Sequence, residues 1–76
     1  MTVCEKVKKR IDQLLIQKNM SLYRLGLNSG VLSGTLNGIM KLRNKSVDLS
    51  IVMQIASGFD MELWEFCDDP IFKSES

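Results

Sequence analysis

Ser21-Leu22-Tyr23-Arg24-Leu25-Gly26-Leu27-Asn28-Ser29-Gly30-Val31-Leu32-Ser33-Gly34-Thr35-Leu36-Asn37-Gly38-Ile39-Met40 is the stretch whose reading decides the fold. Ser21 can cap a helix carrying Leu22, Leu25 and Gly26. Asn28-Ser29-Gly30 breaks it, because glycine takes a positive φ at little steric cost and a tight interhelical turn requires one. A second helix then runs from about Leu32 to Met40. Leu25, Val31, Leu36 and Ile39 fall where the two helices would share a core, and Gly26 lets their backbones approach.

Outward from this unit, three further helices are readable. The first opens on Thr2-Val3-Cys4-Glu5, the spacing of a capping box. Val3, Val7, Ile11, Leu14 and Leu15 recur at helical spacing, with Lys8, Lys9, Arg10 and Asp12 assigned to a solvated face, and Asn19 can end the helix in the left-handed conformation. After the basic loop Lys41-Leu42-Arg43-Asn44-Lys45, Ser46 can cap a fourth helix beginning at Val47 with Asp48 in its first turn. Its wide apolar arc, Val47, Leu49, Ile51, Val52, Met53, Ile55 and Ala56, makes it central to the core. Gly58 ends it. Asp60 or Glu62 starts a short fifth helix whose Met61, Leu63, Trp64 and Phe66 are core candidates. Residues 1–67 are expected to form one domain, and residues 68–76 a tail, extended through Pro70-Ile71-Phe72, that docks in part and is then disordered.

Composition bounds the function. The chain has 76 residues, 45% of them hydrophobic, and a net charge of +1. That is one domain, with no room for a separate catalytic or effector-binding lobe. No apolar run approaches the ~20 residues of a membrane span, and residues 2–10 are too charged for a signal peptide, so a cytoplasmic protein is expected. There is no histidine, which removes Ser-His and Cys-His pairs and leaves a zinc site short of ligands. Cys4 and Cys67 make no disulfide framework, and Cys67 is expected as a small, semi-buried apolar residue. An enzyme is not expected, nor any cofactor, metal or small-molecule effector.

From Arg10 to Phe66 the chain resembles the small Xre/Cro–cI-like (lambda-repressor-like) helix-turn-helix domains. The match is carried by Met20-Ser21-Leu22-Tyr23-Arg24-Leu25, Ser29-Gly30-Val31, Thr35-Leu36-Asn37 with Ile39, Ile55-Ala56 and Glu65-Phe66. The resemblance implies an all-α, compact five-helix domain whose helices 2 and 3 form the helix-turn-helix, with helix 3 in the DNA major groove. It also implies a homodimer on a two-fold symmetric site, acting as a transcriptional repressor of the kind common on prophages and mobile elements. Position by position, it makes Ser33, Gly34, Asn37 and Gly38 the base-facing set. Ser21, Arg24, Lys41, Arg43, Asn44 and Lys45 become the phosphate-contacting set. The chain departs from the family pattern at Leu22, Leu32, Ser33 and Leu42, where a polar residue, a capping residue, a long or aromatic reader and a loop glycine are usual.

The reading face is thin in side chains. A projection centred on Leu36 turns Leu32, Ile39 and Met40 inward and Gly34, Asn37, Gly38 and Lys41 outward. Of these Asn37 can pair with adenine, Ser33 can make one short bond, and Lys41 reaches phosphate. The two glycines together cost about 2 kcal/mol of helix stability. A bare face letting the helix sit deep in the groove, a notch for a partner helix, and relaxed constraint all remain open. The rival function is a protein-interaction module on the same fold, of an antirepressor or antitoxin kind.

Overall fold

In a computed structural model, residues 2–43 and 46–73 are described. They form five α-helices: α1 (Val3–Gln17), α2 (Leu22–Ser29), α3 (Ser33–Met40), α4 (Leu49–Gly58) and α5 (Leu63–Phe66). A 3-10 turn, Pro70–Phe72, follows, and no strand occurs among the described residues.

The start of α1 is a complete capping box. The Glu5 N–H donates to the Thr2 hydroxyl at 3.2 Å and the Thr2 N–H to the Glu5 carboxylate at 2.7 Å. The Thr2 backbone bond, then its hydroxyl, hold the Glu5 carboxyl below its ordinary range. Three helices end in the same way. Asn19, Leu42 and Asp60 each take a positive φ, 52°, 57° and 60°. At each, the residue's own N–H and the next one return to the last turn: Asn19 to Ile16 and Met20 to Leu15, Leu42 to Ile39 and Arg43 to Gly38, Asp60 to Ser57 and Met61 to Ala56. These are Schellman closures.

The core gathers Val7, Ile11, Leu14, Leu25, Leu36, Ile39, Ile55, Phe59 and Phe66 with few gaps in the sequence pattern. Helix α4 packs on α2 and α5, while α1 packs on α3 and on the 3-10 turn. Gly58 permits the α2–α4 approach, since a Cβ there would stand 2.7 Å from Ser29 Cβ and 2.9 Å from Leu25 Cδ1. Gly26 is a milder case, its Cβ position 3.4 Å from Leu36 Cδ1. The Cα radius of gyration is 11.3 Å, close to the value of about 11 Å for a compact domain of this length.

Several expectations are corrected. Helix α4 starts at Leu49 with Asp48 as N-cap, not at Val47 behind Ser46. Half-buried Val47 packs against the core in the approach to the helix, and Asp48 is extended, so helical backbone begins only after both. Leu49 and Met53 are exposed, so the buried stripe of α4 is narrower than its apolar arc. Gly58 belongs to the helix and Phe59 caps it. Val3 is exposed, because Cys4, one residue on, takes its place in the core. Trp64 is 68% exposed: in a helix of four residues only Leu63 and Phe66 reach the core side. Cys67 is exposed at the C-cap of α5, and Cys4 is the buried cysteine. The segment at Pro70 coils rather than extends, and Phe72 lies against Phe66 with ring centroids 5.9 Å apart.

The largest correction is Arg10, which is 8% exposed rather than solvated. Its Nε donates to the Phe66 carbonyl at 2.6 Å, Nη2 to the Glu65 carbonyl at 2.9 Å, and Nη1 pairs with Asp69 at 3.4 Å. The guanidinium thus satisfies the C-terminal carbonyls of α5 and ties α1 to the end of the described chain.

Candidate nucleic-acid interface

Helices α2 and α3 are joined by Gly30, at φ 77°, with Val31 and Leu32 leading into α3. Ser21 caps α2, accepting the Arg24 N–H at 3.1 Å, and the Val31 N–H donates to the Ser29 hydroxyl at 3.2 Å across the turn. Leu25, Val31, Leu36 and Ile39 are all buried, so the two helices share one core and α3 is held as a ridge on the surface. Along that ridge Ser33, Gly34, Thr35 and Asn37 are exposed.

A groove runs along each flank. The groove toward α2 is apolar, of about 400 Å³, and includes Tyr23, Leu27, Leu32, Ser33 and Asn37 among its walls. The groove on the other flank is more polar, with Gly34, Thr35, Gly38, Arg43, Ser46 and Asp48 around it. Gly34 borders only this second groove and forms a bare crest there: it is exposed, and a Cβ would meet nothing within 4 Å among the described residues.

The expected base-facing residues divide. Ser33, Gly34 and Asn37 share the exposed ridge, but Gly38 is buried. Its small exposure reflects its backbone, whose carbonyl accepts the Arg43 N–H at 2.9 Å, while a Cβ on Gly38 would meet nothing within 4 Å among the described residues and the residue borders the polar groove. Leu32 reverses in the other sense and is 76% exposed. As N-cap it has extended backbone, φ −60° and ψ 142°, so helical projection does not apply to it.

Of the expected phosphate-contacting residues, Ser21, Arg24, Lys41 and Arg43 are exposed. The Ser21 hydroxyl already accepts a cap bond and keeps its own hydrogen to donate. Arg24 lies in the first turn of α2, and Lys41 and Arg43 at the exit of α3. None of the three cations is ion-paired among the described residues. Asn44 and Lys45 lie outside the described residues.

Compared with known proteins, the chain matches no family model, no curated protein and no solved structure. Its surface still distinguishes partners by chemistry. The exposed residues missed by pattern alone are Thr35 on the ridge and the apolar trio Tyr23, Leu27 and Leu32. The signal for Leu32 was its place before the helix, where a side chain leaves the helical register. Among the described residues no group of His, Cys, Asp and Glu could hold a metal ion, and no helix is long and apolar enough to cross a membrane.

Proposed function

We propose that this chain is a DNA-binding transcriptional regulator of the lambda-repressor-like kind, cytoplasmic, with α3 entering the major groove. The observation that carries the reading is the exposed α3 ridge, locked to α2 by a shared core and accompanied by Arg24, Lys41 and Arg43, which are exposed and without an ion pair among the described residues. Helix α3 spans eight residues, which suits a groove about 12 Å wide. Arg24, Lys41 and Arg43 would neutralise phosphates and fix the register, as would the Ser21 end of α2. Asn37 is the main candidate base reader and Ser33 the second. The bare crest at Gly34 would let the helix backbone sit deep, with duplex shape supplying part of the selectivity.

Repression would be steric. The molecule measures 35 × 24 × 21 Å and presents one α3, whereas two half-sites lie about 34 Å apart, so a palindromic site needs two copies. Sedimentation with and without DNA tests this: a monomer under both conditions at high micromolar concentration rejects the dimer.

Binding to DNA is tested by charge. Affinity should fall with salt along a log–log slope of about −0.9 per neutralised phosphate. Lys41→Glu with Arg43→Glu should weaken retention of every fragment and flatten that slope. Unchanged retention would reject the phosphate assignment.

The exposed Tyr23, Leu27 and Leu32 favour a second reading, a protein-interaction module whose apolar groove takes a partner segment. That reading is upheld if no DNA is bound at low salt.

A further inference from the structure

We propose that the apolar groove beside α3 receives thymine methyl groups, so that the protein selects A·T pairs in the major groove. The inference rests on the DNA reading above and adds which base pair is read. Its basis is the α2 flank of the ridge, where Tyr23 and Leu32, 77% and 76% exposed, share one groove with Ser33 and Asn37.

Neither Arg nor Lys lines this groove, so the bidentate pairing that recognises guanine O6 and N7 has no donor there. What the groove does offer matches one base pair on both its edges. Adenine presents an acceptor at N7 and a donor at N6, which a carboxamide such as that of Asn37 answers with one donated and one accepted bond. Thymine presents a C5-methyl group, which gains free energy against apolar side chains such as Leu32. Gly34, exposed beside the other groove, offers no side chain to hold the helix away from the base edges.

Charge favours a duplex as the occupant. Arg24 in the first turn of α2 and Lys41 just past α3 are exposed, and Arg43 borders the groove on the other flank, so the α2–α3 unit carries three cations and, among the described residues, no acidic side chain. A polyanion with methyl groups along its groove complements both features together.

The test uses the full chain and duplexes selected from a random pool at low salt. The best duplex is then remade with deoxyuridine for thymidine, which removes only the C5-methyls. A·T pairs should be enriched at the selected positions, and each lost methyl should weaken binding about fourfold, the worth of one buried carbon. Leu32→Ala, exposed and outside the core, should erase the thymine-over-uracil preference while leaving the salt slope as it was. Equal binding of the two duplexes, with the salt slope intact, overturns this inference and leaves DNA binding standing. Retention of no duplex at any salt overturns both and assigns the groove to a protein partner.

Discussion

Gly58 and Gly34 both lie in helices, and their surroundings give the same substitution opposite signs. Gly58→Ala drives a methyl into Ser29 and Leu25 on the facing helix, so urea unfolding should show a loss of about 1–3 kcal/mol. Gly34→Ala puts its methyl into open space and should add about 1 kcal/mol through helix propensity. The same Gly34→Ala variant should bind DNA more weakly if the bare crest serves close approach. A variant both more stable and equally tight would show that the crest is merely unconstrained. Sequence periodicity could not separate these two glycines, because it records position along one helix and not the helix opposite. It missed Arg10 for another reason. Arg10 stands three residues after Val7 and four before Leu14, squarely on the buried stripe, but a charge there reads as solvent-facing until its carbonyl partners are known.

At the scale of elements, the helices were legible wherever the cause was local. The capping box at Thr2, the Ser21 cap, the glycine turn at Gly30 and the left-handed Asn19 each follow from residues within a few positions. The α4 start and the exposure of Trp64 depend on which residues the neighbouring helices leave room for, and short-range pattern holds no record of that. The closure of α3 is intermediate. Its left-handed position carries Leu42, with a Cβ penalty that Asn19 and Asp60 largely escape at the equivalent places. Leu42→Gly should therefore stabilise the protein by about 1 kcal/mol in urea unfolding. A destabilisation instead would mean that the partly exposed Leu42 side chain contributes more by packing than its backbone loses.

On the scale of the whole molecule, the α2–α3 unit lies in the middle of the chain while its support is closed from the two ends. Arg10 makes that closure, joining α1 to α5 and to Asp69. Arg10→Met, similar in length but unable to donate, should cost about 3 kcal/mol, since the Phe66 carbonyl, the Glu65 carbonyl and the Asp69 carboxylate all lose a charged donor, the latter two keeping only the Asp68 and Ile71 N–H groups. Arg10→Lys should recover only part of this, because an ammonium cannot reproduce the planar fork. A loss below about 1 kcal/mol in equilibrium unfolding would show that water replaces the guanidinium without penalty.

The same closure orders events during synthesis. Helices α1 to α4 are complete once Gly58 has left the ribosome, yet the guanidinium that α1 turns inward finds its acceptors only when Glu65, Phe66 and Asp69 have followed. Until then the guanidinium has within its own helix only Gln13, whose Oε1 accepts from Nη1 at 3.3 Å, and the cost of burying the charge is not yet offset. Arg10 thereby makes the first helix depend on residues 55 to 59 positions further along, contacts that a chain ending at Gly58 cannot form.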